Sequence, residues 1–163
     1  MLTFNSISSY EEGDLYKILY KSYESLLAEN IKNKDKYIAN WKQFDKDSFS
    51  QPKIGKCVLM TYLGDKLIGF ASYDPRHFPD YGIIGHNCIL PEYRNLGYGK
   101  IQIENLLKIF TNKNCKKVKV STGEIEYYLP ARKMYQSLGF RQVGKHQDKI
   151  RGYDVIDYEK DLL

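Results

Sequence analysis

The chain has 163 residues, 42% of them hydrophobic and 28% charged, which is the size and balance of one domain able to bury a core. Lys and Arg number 25 against 20 Asp and Glu, a net charge of +5 that suits an anionic partner but lacks the density marking a nucleic-acid binder. Aromatic residues make up 14%, including 15 Tyr, which excludes a disordered chain.

The first residues, Met1 to Asn5, carry no basic segment followed by an apolar stretch, so they do not read as a secretory signal. No apolar run approaches the ~20 residues of a membrane-spanning helix. Alternation from Leu2 to Ser8 predicts a short edge strand. Leu15, Ile18, Leu19, Leu26 and Leu27 then share one helical stripe, and Tyr37, Ile38, Trp41 and Phe44 mark a second helix within Asp35 to Phe49. Cys57 to Leu63 and Lys66 to Tyr73 are β-rich runs joined by Gly64-Asp65, an antiparallel hairpin. Asp74 to Tyr81, with two prolines, is a loop, and Gly82 to Leu90 is the next strand.

That strand runs straight into Pro91-Glu92-Tyr93-Arg94-Asn95-Leu96-Gly97-Tyr98-Gly99-Lys100, after which Ile103, Leu106, Leu107 and Phe110 define a helix with one buried face. Lys116 to Ser121 reads as a strand. Pro130 sits where a helix starts, Ala131, Met134, Tyr135 and Leu138 form its inner face, and Gly139 stands just past its end. Phe140 to His146 and Tyr153 to Lys160 close the chain as strands. The order β, two helices, three strands, helix, strand, helix, two strands is an α/β class, with no linker or repeat to divide residues 1–163 into more than one domain. Cys57, Cys88 and Cys115 are odd in number and lack CxxC spacing, which fits a reduced, cytoplasmic setting, and His77, His86 and His146 lack metal-ligand spacing, so no metal is expected.

A glycine loop between strand and helix serves phosphate binding, because backbone N–H groups approach closely and the helix N-terminus adds positive potential. Gly97-Tyr98-Gly99 is not the dinucleotide fingerprint, since Gln102 stands at its third small position, and not a Walker A loop, where Arg94 and Ile101 replace the required Gly and Ser or Thr. The RNA-recognition element Gly-aromatic-Gly is matched only in part, with Leu96 in place of a base and Lys100 in place of an aromatic.

Arg94-Asn95-Leu96-Gly97-Tyr98-Gly99 matches the pattern [Arg or Gln]-x-x-Gly-x-[Gly or Ala], and Ala131-x-x-x-Tyr135-x-x-Leu138-Gly139-Phe140 follows at the expected distance. Together with the strand order, these elements resemble the GNAT superfamily of N-acetyltransferases over nearly the whole chain. The resemblance implies a mixed, mostly antiparallel sheet flanked by helices, acetyl-CoA as co-substrate, no metal, and direct attack of a primary amine on the thioester. It implies further that backbone N–H groups of Asn95, Leu96, Gly97, Tyr98, Gly99 and Lys100 hold the pyrophosphate, with Arg94 helping. The backbone of Asn87, Cys88 and Ile89 would meet the pantetheine arm, leaving Cys88 a packed thiol.

Tyr135 matches the tyrosine whose hydroxyl lies near the coenzyme sulfur as general acid; a core aromatic is the other reading of the same position. Many relatives place a Glu on the strand before the loop, and this chain has none there. His86, or Glu124 past the following strand, is then the candidate base, with relayed water as the third option. Tyr127 and Tyr128 stand where relatives carry an Asn, and His77, Phe78 and Tyr81 either face substrate or form an ordinary loop. The same scaffold permits an acetyl-CoA-binding sensor or interaction domain, and a homodimer, and a basic nucleic-acid-binding module is the rival from another class. No membrane partner is expected, and the acceptor amine is not legible.

Overall fold

The computed structural model describes residues 1–29 and 32–163. In chain order the elements are β1 (Leu2–Asn5), α1 (Asp14–Ala28), α2 (Lys34–Ser50), α3 (Pro52–Gly55), β2 (Val58–Leu63), β3 (Lys66–Asp74), β4 (Gly82–Ile89), α4 (Tyr98–Asn112), β5 (Lys117–Gly123), α5 (Leu129–Ser137), β6 (Arg141–Asp148) and β7 (Tyr153–Asp161). Two 3-10 turns, Pro91–Tyr93 and Glu126–Tyr128, precede α4 and α5. The strands form one sheet in the order β1-β2-β3-β4-β5-β7-β6, parallel only between β4 and β5.

Periodicity predicts these elements well because each helix must bury an apolar stripe against the sheet. All five stripe residues of α1 are buried, and Leu15, Ile18, Leu19 and Leu27, with Tyr37 and Trp41 of α2, cover Val58, Met60, Phe70, Cys88 and Leu90 on one face of the sheet. Ile103, Leu106 and Phe110 of α4, joined by Tyr135 of α5, cover Ala71, Ile84, Val118 and Val120 on the other. Central strand β3 is buried on both faces over Ile68 to Ser72. The short helix α3 is an addition to the predicted order, and β1 stops at Asn5 instead of reaching Ser8.

Three details position the site. Asp45 of α2 is 2% exposed and accepts hydrogen bonds from the backbone N–H groups of Gly13 (2.7 Å) and Tyr16 (2.9 Å), so a side chain from another helix satisfies the start of α1. At its far end α1 kinks at Tyr23, whose backbone (φ −114°, ψ 16°) lies outside the helical range. In α4, Gln102 is buried, accepts from the Thr61 hydroxyl at 2.5 Å and donates to the Cys88 carbonyl at 3.4 Å, tying the helix to β2 and β4. The residue that spoils the dinucleotide fingerprint therefore serves as a buried polar bolt.

Candidate functional site

The site begins with a defect in the sheet. Opposite Ser72 of β3, strand β4 carries an extra residue, so the register jumps between Ala71 paired with Asn87 and Tyr73 paired with Ile84. A bulge of this kind bends the strand that bears it. The Ser72 hydroxyl stabilises the bend by donating to the His86 carbonyl at 2.7 Å. On its other side β4 pairs with β5 only at Gly82 with Val118 and Ile83 with Lys119. Beyond those pairs the two strands separate, leaving the edge of β4 from Ile84 to Ile89 unpaired on that side.

A cleft of about 520 Å³ opens beside this edge, walled by Asn87, Cys88 and Ile89, by the loop that starts α4, and by Tyr127, Tyr128, Pro130, Ala131 and Met134. That is the volume of a small-molecule or cofactor site. Where the loop enters α4, Asn95 (φ 61°) and Gly97 (φ 85°) both take left-handed backbone conformations, which turns successive N–H groups toward one side. The N–H groups of residues 95 to 100 have no acceptor among the described residues, while Ile101 makes the first helical bond, to Gly97. A Cβ built at Gly99 would meet only the Ile89 side chain, at 3.7 Å. Glycine at 99 therefore leaves room for a ligand and relieves no crowding within the protein.

Arg94 is engaged by protein acceptors. Its Nε donates to the Ile89 carbonyl at 2.9 Å, its Nη1 to the Tyr127 hydroxyl at 3.3 Å, and its Nη2 to the Ser22 carbonyl beside the α1 kink. The guanidinium thus locks α1 to β4 and to the turn before α5, which leaves the backbone N–H groups as the unengaged donors of this loop. The β4 backbone is also partly engaged, because Tyr23 donates its hydroxyl proton to the Asn87 carbonyl at 2.9 Å. Cys88 is buried and its thiol is pushed up to about 11 by desolvation, which keeps it protonated and unreactive.

Tyr135 is 3% exposed, and its ring packs edge-on against Phe140, so the core reading of this position holds for the ring. Its hydroxyl is nevertheless within 3.4 Å of the Asn87 amide nitrogen on the cleft wall. Burial pushes the phenol up to about 12, with the Asn87 contact acting the other way.

The two expected bases are brought neither to the cleft wall nor to each other. The His86 ring lies 4.6 Å from the Phe44 ring under α2, and desolvation, helped by the Arg151 charge, depresses it to about 4. Glu124 is ion-paired with Lys145 of β6 at 3.2 Å on an exposed surface. No Asp, Glu or His contributes to the cleft lining among the described residues. His77, Phe78 and Tyr81 lie away from the cleft: His77 stacks on Tyr81, which Lys119 covers, and Phe78 packs on Tyr73 and Phe110.

Three contributors escape the sequence reading. Tyr23 lines the cleft from the α1 kink. Arg132 donates to the carbonyls of Gly123 (2.7 Å) and Ile125 (2.9 Å), fixing the turn that carries Tyr127 and Tyr128. Arg151, in the turn between β6 and β7, reaches back toward His86 and Tyr135 and perturbs both. Only the spacing of aromatic residues around Tyr23 hints at any of this in the sequence.

Comparison with known proteins agrees with this geometry. A family model for the acetyltransferase (GNAT) family matches residues 14–140. A GNAT-family protein from Desulfovibrio desulfuricans superposes with a TM-score of 0.78 at 14% identity, covering 100% of both chains. The Bacillus subtilis acetyltransferase crystallised with CoA gives 0.68 at 15% identity, covering 99% of this chain and 98% of that one. An aminoglycoside 6'-acetyltransferase type Ii gives 0.71 at 14% identity over 100% of this chain and 97% of its own. At such identities these likenesses show the fold alone, and no curated protein matches in sequence.

Proposed function

The chain belongs to the GNAT family of acetyltransferases, and from that premise we propose that it moves the acetyl group of acetyl-CoA to a primary amine by direct attack within the cleft. The observation that carries the proposal is the row of N–H groups at residues 95 to 100, unpaired within the protein and opening beside the cleft at the start of α4. Such a row, backed by the helix dipole, fits a pyrophosphate, and the open space at Gly99 fits its close approach. The unpaired edge of β4 fits an amide-bearing arm laid alongside it, as an added strand would lie.

Acetyl-CoA supplies a thioester carbonyl carbon that a neutral amine can attack without further activation. Attack forms the N–C bond and breaks the C–S bond, and the sulfur leaves as thiolate. Tyr135, held near about 12, is too weak an acid to surrender its proton to a thiolate of ordinary basicity, so we assign its hydroxyl, together with Asn87, an orienting hydrogen bond. The proton released by the amine goes to water, since the cleft lining holds no carboxylate or imidazole among the described residues.

Coenzyme thiol release with a panel of primary amines tests the proposal. Turnover above the rate of coenzyme hydrolysis supports it, whereas tight coenzyme binding without turnover on any amine would favour a sensor built on the same pocket.

A further inference from the structure

Behind Tyr128, which walls the cleft, three tyrosines from distant parts of the chain converge. The Tyr37 hydroxyl of α2 hydrogen-bonds the Tyr153 hydroxyl of β7, and the Tyr128 ring lies 6.3 Å from that of Tyr153. The guanidinium of Arg151 is 6.0 Å from the centre of the Tyr128 ring. Gly152 next to it packs so closely on the α1–α2 connection that a Cβ there would lie 2.2 Å from the Asn33 amide nitrogen. The β6–β7 turn is thus pressed against the helices, and Arg151 is directed inward.

This arginine differs from Arg94 in a way that matters. Arg94 donates from all three of its nitrogens to protein acceptors. Arg151 donates from Nη1 to Asp148 at 3.0 Å, while its Nε and Nη2 have no acceptor among the described residues, although the side chain is only 27% exposed. A partly buried guanidinium with free N–H donors is a two-pronged carboxylate site. Among the described residues, Asp148 is the acidic group acting on Arg151, and Tyr37 and Tyr153 stay neutral because burial keeps them protonated. An acceptor bearing several positive charges finds no acidic wall here.

Resting on the transferase reading above, we propose that the acceptor is an amine carrying its own carboxylate, an amino-acid-like molecule whose anion docks on Arg151 between Tyr37, Tyr128 and Tyr153. The bonds formed and broken are those of the proposed transfer; Arg151 fixes the acceptor and takes no proton.

The test uses the full chain with acetyl-CoA, following thiol release with the common α-amino acids and β-alanine, with the carboxamide of each, and with spermidine, rates being compared per neutral amine. The acids are expected to be favoured by about tenfold or more in kcat/KM, the scale of one charge-assisted bidentate contact. Arg151→Gln is expected to raise KM for the acids by about the same factor while leaving KM for the amides within about twofold. Arg151→Lys keeps the charge and the Asp148 pair, so it serves should the Gln variant not fold, and a partial loss confined to the acids is expected. Equal or better use of amides or spermidine, an acid preference that survives Arg151→Gln, or coenzyme binding without turnover of any acid overturns the proposal. Failure of the wild-type chain to bind acetyl-CoA in calorimetry would instead overturn the underlying transferase reading.

Discussion

Replacing Gly99 with Ala separates a glycine kept for folding from one kept for a ligand. Gly99 is the second residue of α4 and a Cβ there meets nothing closer than the Ile89 side chain at 3.7 Å. Alanine is the better helix former, so the variant should be as stable as wild type or gain up to about 0.5 kcal/mol, a rise of about 1–2 °C in Tm for a domain of this size. The same methyl group projects from the unpaired N–H row, so it should displace a bound pyrophosphate from one N–H contact. Each such contact to a charged group contributes about 1.5–3 kcal/mol, so the acetyl-CoA Kd should rise by about tenfold to a hundredfold. Gly97→Ala is the contrasting case, because φ of 85° costs a residue with Cβ about 1–2 kcal/mol in the folded state whatever binds. Thermal unfolding and calorimetric titration of the three proteins provide the comparison. A Gly99→Ala protein that is stable and binds acetyl-CoA like wild type would refute the assignment of this loop.

Tyr135→Phe should lower kcat by about threefold to tenfold, the loss of one orienting hydrogen bond, with coenzyme Kd unchanged in calorimetry. Arg94→Lys cannot reproduce three directed contacts, and should destabilise the coenzyme-free protein by about 2–3 kcal/mol in urea unfolding; a normal unfolding midpoint with weakened coenzyme binding would show instead that Arg94 acts on the pyrophosphate. His86 has a folded-state pKa near about 4, below its unfolded value, so its contribution to stability is present above the unfolded pKa and is lost as pH falls from about 6.5 toward 4. His86→Gln should therefore flatten that part of the pH–stability curve by up to about 3 kcal/mol while leaving the activity profile without a new inflection. For two acceptor amines of different basicity, kcat/KM should rise with pH until each amine's own pKa; a shared inflection near neutrality would point to a dedicated protein base.

Much of the fold is legible in the chain because single stripes decide it. The Leu15 to Leu27 and Ile103 to Phe110 patterns bury as their spacing demands, and Gly97 and Gly99 announce the loop that opens α4 beside the cleft. The splay of β4 from β5 is not legible, since it depends on one extra residue opposite Ser72 and on pairing that stops after Ile83, neither of which leaves a pattern in residues 82–90. The roles of the charged groups are hidden for a related reason. Arg94 matches a coenzyme motif, yet its donors are taken by the Ile89 carbonyl, the Tyr127 hydroxyl and the Ser22 carbonyl beside the α1 kink. Arg151 lies in a turn that looks solvated until the sheet carries it to Tyr37 and Tyr128. His86 and Glu124 have suitable chemistry by type, but one is pressed on Phe44 and the other paired with Lys145. Type and spacing report local structure; which partner satisfies a polar group is decided by contacts distant in sequence.

The central claim is that backbone N–H groups 95 to 100 hold the coenzyme pyrophosphate. Titrating acetyl-CoA into isotope-labelled protein and following the backbone amide resonances tests it most directly. The account predicts large, saturable shifts at Asn95 to Lys100 with smaller ones at Asn87 to Ile89. Saturable binding that leaves the amides of residues 95 to 100 unmoved would contradict it.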